Sequence, residues 1–184
     1  MDTSAGFVLC GGRSSRMGRD KGLLPVDGKT LVERTAERVL AAAGSVTLIG
    51  APERYRHLGL PVVPDLMADC GPIGGLYTAL KMTRSEWTLL VACDMPGVTA
   101  EFLGELLAAA IGRRSTCLVP ETESGRHPLC AVYHRRGLGA VEFSIQHKRF
   151  KMHDLVQLLE AASWPVRDAA VLENMNTPLE WGSR

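Results

Sequence analysis

Short apolar runs alternate along this chain with longer stretches whose apolar residues recur every three or four positions. GFVLC at Gly6–Cys10 is the first run and predicts a strand. From Thr30 to Ala43, Val32, Ala36, Val39, Leu40 and Ala43 fall on one helical face. Thr30 and Glu33 have the spacing of a capping box, and Gly44 suits the stop. Val46–Ile49 and Pro61–Val63 predict a second and a third strand, and Gly74–Met82 a helix with Leu76, Ala79 and Leu80 inward. WTLLVAC at Trp87–Cys93 is almost unbroken, the pattern of a parallel strand covered on both faces. Thr99 caps a helix that runs to Ile111, with Leu103, Leu106, Leu107 and Ala110 inward and Gly112 beyond. Thr116–Pro120 and Leu129–Tyr133 predict strands separated by the polar loop ETESGRH. Leu138–Gln146 and Asp154–Ala161 predict helices, Val166–Asp168 a last short strand, and Thr177, Pro178 and Glu180 a final helix start.

This alternation implies a three-layer α/β/α sandwich with a mainly parallel sheet. Ligands in such folds bind beyond the carboxyl ends of the strands. No internal repeat, low-complexity tract or linker interrupts the pattern, so the reading is one domain over residues 1–184.

Composition narrows the function. With 46% hydrophobic and 22% charged residues and a net charge of +1, the chain is not a general nucleic-acid binder. It has no 18-residue apolar run to span a membrane, and MDTSAGFVLC lacks the features of a signal peptide, so a cytoplasmic location is expected. Five cysteines without a C-x-x-C argue against a disulfide framework or a zinc ribbon. Cys10, Cys93, Cys117 and Cys130 lie in apolar runs and read as small core residues, whereas Cys70 lies in a loop. The histidines form no metal-binding spacing.

The first strand leads directly into GGRSSRMGRDKGLLP. A Walker A loop is excluded, because Gly22 and Leu23 follow Lys21, and the glycines lack the G-x-G-x-x-G spacing. The ingredients of a phosphate grip remain. Gly11 and Gly12 allow the backbone to approach an anion closely, Arg16 offers a planar fork of donors, and Lys21 a mobile point charge.

LCGGRSSRMGRDKGLLP closely resembles the nucleotide-binding signature of the molybdenum cofactor guanylyltransferases, L-A-G-G-x-S-x-R-M-G-x-D-K. Asp20 before Lys21 favours the molybdopterin branch of the nucleotidyltransferases, and the glycine pair favours the guanylyl over the cytidylyl enzyme. The resemblance continues in order to Trp181. PDLMADCGPIGGLYTAL (Pro64–Leu80) is similar to a base-binding segment, LLVACDMPG to a strand ending in C-D-x-P, GRHPLCAV to an H-P-L stretch, and ENMNTPLEW to N-x-N-T-P-E-[DE]-L. Family members often carry an asparagine after the second strand, where this chain has Gly50 and Ala51.

The resemblance implies a Rossmann-like nucleotidyltransferase fold and transfer of GMP from GTP to molybdopterin, with release of pyrophosphate. It assigns Leu9, Cys10, Gly11, Gly12, Lys21, Asp65 and Asp94 to nucleotide binding, Arg16, Lys21 and Asp94 to catalysis, and Asp94 to Mg²⁺. One carboxylate suffices for that ion when substrate phosphates and water complete its shell. Asn174, Asn176 and the basic run Lys148–Lys151 are candidates for the pterin side, and His127 for an orienting role. The implied partners are GTP, molybdopterin and, in passing contact, other molybdenum cofactor enzymes. A CTP-dependent enzyme and a non-catalytic nucleotide-binding homologue are the alternatives, and the oligomeric state is left open.

Overall fold

The computed structural model describes residues 3–10, 20–26 and 28–173. Ten strands are present among them: β1 (Ser4–Leu9), β2 (Pro25–Val26), β3 (Lys29–Thr30), β4 (Val46–Ile49), β5 (Val62–Val63), β6 (Trp87–Ala92), β7 (Cys117–Thr122), β8 (Gly125–Arg126), β9 (Cys130–His134) and β10 (Ala162–Pro165). The α-helices are α1 (Leu31–Ala43), α2 (Pro52–Tyr55), α3 (Pro72–Met82), α4 (Ala100–Ala110), α5 (Leu138–Gln146) and α6 (Met152–Leu158).

The main sheet has the order β10-β7-β9-β6-β1-β4-β5, with β8 beside β7. β1 pairs in parallel with both β4 and β6, as β4 does with β5 and β7 with β10. β9 runs antiparallel between β6 and β7. β2 and β3 form a separate hairpin.

The two faces of the sheet bury different helices. Val8, Leu48, Leu89, Val91 and Val132 pack with Val32, Ala36 and Val39 of α1 and Leu103 and Leu106 of α4. Phe7, Ile49, Leu90, Val119, Ala131 and Tyr133 pack with Ile73, Leu76 and Ala79 of α3, Val141 of α5 and Leu155 and Val156 of α6. Strand alternation sends successive residues to opposite faces, so β6 is buried along its whole length. Each of its large side chains contributes roughly 1.5–3 kcal/mol by leaving water. Thr30 and Glu33 form the expected capping box, and Gly44 ends α1 in the left-handed conformation.

Several boundaries differ from the sequence reading: β7 runs on to Thr122 and β8 forms at Gly125–Arg126, both inside the stretch read as a polar loop, and three further differences have a plain backbone cause. α3 starts at Pro72, not Gly74: Gly71 is its N-cap at φ +61°, and proline suits the first turn. α6 spans Met152–Leu158 and not Asp154–Ala161, because Glu160 turns left-handed at φ +48°. The last strand is Ala162–Pro165 and not Val166–Asp168. It lies at the sheet edge, where proline is tolerated, and the Val166 N–H still reaches the Glu121 carbonyl at 2.9 Å. The second capping box at Thr177–Glu180 lies outside the described residues.

Candidate active site

The parallel strands end on a common rim, and a cleft of about 830 Å³ opens there. β1 contributes Leu9 and then Cys10, β4 leads to Gly50, and β6 leads through Cys93 to Asp94. Asp65 follows β5, and Lys21 comes from the turn before β2. Leu9, Cys10, Lys21, Asp65 and Asp94 therefore line one cavity. Gly11, Gly12, Arg16, Asn174 and Asn176 lie outside the described residues. Of the run Lys148–Lys151, Phe150 lines the cleft and is 38% exposed.

Asp94 leaves the buried strand for a partly buried position. Burial pushes its carboxyl above the ordinary range, while its own backbone N–H and Lys21 pull in the other direction. Its Oδ1 is buried and accepts no hydrogen bond among the described residues. A carboxylate in the cleft lining, with one oxygen unpartnered among the described residues, fits a hard divalent cation that completes its shell with ligand oxygens and water. Among the described residues no cluster of three His, Cys, Asp or Glu side chains is arranged to hold a metal.

Asp65 builds its own loop. Its Oδ1 accepts the Met67 N–H at 2.9 Å and lies 3.1 Å from the Thr78 hydroxyl. The Thr78 oxygen in turn accepts the Leu66 N–H at 2.9 Å. This Asx-type turn and the cleft position coexist at Asp65.

α3 points its N-terminus at the cleft, with Gly71, Pro72 and Gly75 in the lining. No side chain among the described residues caps that end; Pro72 has no N–H and the Gly74 N–H donates to the Gly71 carbonyl at 3.0 Å, so the helix dipole is what favours an anion or polar ligand there. Two glycines let the helix dock. A Cβ on Gly74 would stand 2.4 Å from the Met67 carbonyl oxygen, and one on Gly75 would stand 2.5 Å from Leu9 Cδ2.

Gly50 is similarly confined. A Cβ there would lie 2.7 Å from the Cys10 carbonyl oxygen and 2.8 Å from Tyr55 Cε2. Its backbone N–H donates to the Val63 carbonyl at 3.0 Å. The strand end thus has no room for the asparagine of the family pattern. Tyr55 and Arg54 beside it were not picked out by the sequence, and Asp20 was read only as a motif residue that marks the family branch. Asp20 and Tyr55 are 35 positions apart and meet only through the fold.

His127 stands outside the cleft lining. Its Nε2 is 2.9 Å from the Thr122 hydroxyl, and burial pushes its pKa down, with His153 adding to the effect. All five cysteines are buried and none forms a disulfide, and Cys70 joins Cys10 and Cys93 in the cleft wall.

The model of the MobA-like NTP transferase domain matches residues 6–162. The chain belongs to this family. A Flavobacterium johnsoniae relative named "Probable molybdenum cofactor guanylyltransferase" is 36% identical over 156 residues, covering 85% of this chain and 82% of the relative. A Nostoc protein of the same name is 36% identical over 189 residues, covering 97% and 88%. Among solved structures, "Molybdopterin-guanine dinucleotide biosynthesis protein A" from Archaeoglobus fulgidus superposes with TM-score 0.82 at 23% identity, covering 96% of this chain and 94% of that one. The 2-C-methyl-D-erythritol 4-phosphate cytidylyltransferase of Thermus thermophilus shares the fold, with TM-score 0.70 at 17% identity over 95% and 94% of the two chains. As a MobA-like NTP transferase, the chain carries its cleft at the rim where this α/β architecture binds ligands.

Proposed function

We propose that this protein transfers GMP from GTP to molybdopterin, forming the guanine dinucleotide cofactor and pyrophosphate. The observation that carries the reading is the meeting of Lys21, Asp94 and the α3 N-terminus in one cleft, in a chain 36% identical to relatives named for this guanylyl transfer.

In this reading an oxygen of the pterin's terminal phosphate attacks the α-phosphorus of GTP. A new P–O bond forms, the bond to the bridging oxygen breaks, and pyrophosphate leaves. The attacking phosphate is already ionised, so no protein base is needed, and catalysis reduces to positioning and charge neutralisation. Lys21 holds the triphosphate and stabilises charge growing on pyrophosphate, and Arg16 does the same from the glycine loop. Backbone groups at Leu9, Cys10, Gly11 and Gly12 close on the phosphates and the nucleoside. The Asp65 carboxylate and the carbonyls of the Asp69–Gly71 loop face the base, whose N1–H and N2–H₂ groups need acceptors.

A divalent cation is general in the family, and Mg²⁺ is the ion proposed here. Asp94 would hold it, and when bound it would neutralise phosphate charge. Phe150 and its cationic neighbours, with Asn174 and Asn176, form the proposed acceptor side. No helix among the described residues is long and apolar enough to cross a membrane. Five cysteines outside any disulfide suit the reducing cytoplasm as the place of action.

The test is pyrophosphate release from GTP and from CTP, each with molybdopterin and Mg²⁺ present. The reading expects release from GTP. A preference for CTP would make the protein the cytidylyl enzyme. GTP binding without release would make it a nucleotide-binding homologue that does no chemistry.

A further inference from the structure

A hydrogen-bonded chain that the proposed chemistry does not use links the core to the cleft. Tyr55 is 0% exposed, yet its hydroxyl donates to Asp20 Oδ2 at 2.6 Å. Asp20 Oδ1 accepts the Gly22 N–H at 3.0 Å and so closes the 3₁₀ turn Lys21–Leu23. Arg54 stands 3.4 Å from Oδ2, but it is 46% exposed and adds little. The Asp20 side chain is itself only 11% exposed.

The surroundings leave this chain little freedom. The Tyr55 ring packs where a Cβ on Gly50 would sit, so glycine at 50 is a condition of its placement. A Cβ on Gly22 would stand 2.6 Å from Val32 Cγ2, which fixes the turn against α1. The carboxylate also sits beside a site read as binding a polyanion, where its charge alone is unfavourable. Its value must come from what it holds.

We propose that Tyr55 and Asp20 are positioning residues: the buried phenol anchors the carboxylate, and the carboxylate holds the turn that presents Lys21 to the nucleotide. This rests on the nucleotidyl-transfer reading of Lys21.

The experiment measures the affinity of the full chain for a fluorescent N-methylanthraniloyl GTP with Mg²⁺, alongside pyrophosphate release and thermal melting. Tyr55→Phe deletes one hydrogen bond to a charged group and is expected to weaken binding about tenfold. Asp20→Ala supplies the sign. Removing a negative charge next to an anion site tightens binding by Coulomb's law, whereas loss of the latch weakens it. Weaker binding by both variants, shrinking to less than about twofold when each is combined with Lys21→Ala, supports the proposal, since residues acting through a third lose their effect when it is removed. Tighter binding by Asp20→Ala, unchanged binding by Tyr55→Phe, or losses that persist in full without Lys21 would overturn it. Asp20 lines the cleft and belongs to neither apolar core, so its variant answers the question even if Tyr55→Phe melts early. Failure of the wild-type chain to bind the nucleotide would sink the nucleotidyl-transfer reading and this proposal together. Binding by the wild type with no change in the variants would sink this proposal alone.

Discussion

Burial lifts the Asp94 carboxyl above its ordinary pKa while Lys21, on the same cleft, pulls it back down. Charge on Asp94 is therefore held at a cost to the folded state. An acid whose folded pKa is raised contributes stability that is fully present below its unfolded value, about 3.9, and that is lost as pH rises through the folded value. Asp94→Asn, which keeps the neutral shape, should therefore melt higher than wild type at pH 7. That gain should shrink on acidification and vanish below the unfolded pKa. The same variant should lose pyrophosphate release by at least about 10²-fold. Melting curves from pH 3 to 8 and a turnover assay check both halves.

Lys21→Ala should reduce turnover by about 10²–10³-fold, the scale of losing one preorganised electrostatic contact. Its thermal midpoint should stay within about 2 °C, since Lys21 is only half-buried at the cleft. Without the lysine, the Asp94 carboxyl should titrate at higher pH than in the wild type. Residual activity should then switch on at higher pH, and a pH–rate profile reads the shift.

Gly74→Ala should destabilise the fold by about 1–3 kcal/mol, because its Cβ meets the Met67 backbone, which cannot swing aside. Gly75→Ala should cost less, since Leu9 Cδ2 is the end of a side chain that can move. Denaturant titration of the two variants should give that order, and the Gly74 variant should bind GTP more weakly as α3 shifts from the cleft.

Gly50→Asn restores the family residue on paper. Its Cβ would strike the Cys10 carbonyl and the Tyr55 ring, so a loss of about 1–3 kcal/mol is expected with no gain in nucleotide affinity. Paired denaturation and binding measurements decide it, and tighter GTP binding would contradict the packing argument.

Much of the sheet was legible because its signals are local. The unbroken run at Trp87–Ala92, the Thr30–Glu33 cap and the Thr99-capped helix each declare themselves within a few residues. What was missed depends on distant partners or on unusual backbone. Pro165 reads as a strand breaker unless the strand is known to lie at an edge. Glu160 adopts a left-handed turn that propensity assigns to glycine. The short helix Pro52–Tyr55 and the hairpin Pro25–Thr30 carry too few residues for periodicity to register. In the site, the motifs located Lys21, Asp65 and Asp94 on one cleft, but Asp20 and Tyr55 meet through tertiary packing alone. The crowding at Gly50 was likewise invisible, because the clashing atoms belong to Cys10 and Tyr55.

β9 is reversed relative to its neighbours, so the rim receives the start of this strand where β1, β4 and β6 supply their ends. Leu129, just before that start, is part of the cleft wall. The reversal gives evolution a detachable half. The connection entering β9 can be lengthened or exchanged without disturbing the exits of β1, β4 and β6, which line the rest of the cleft.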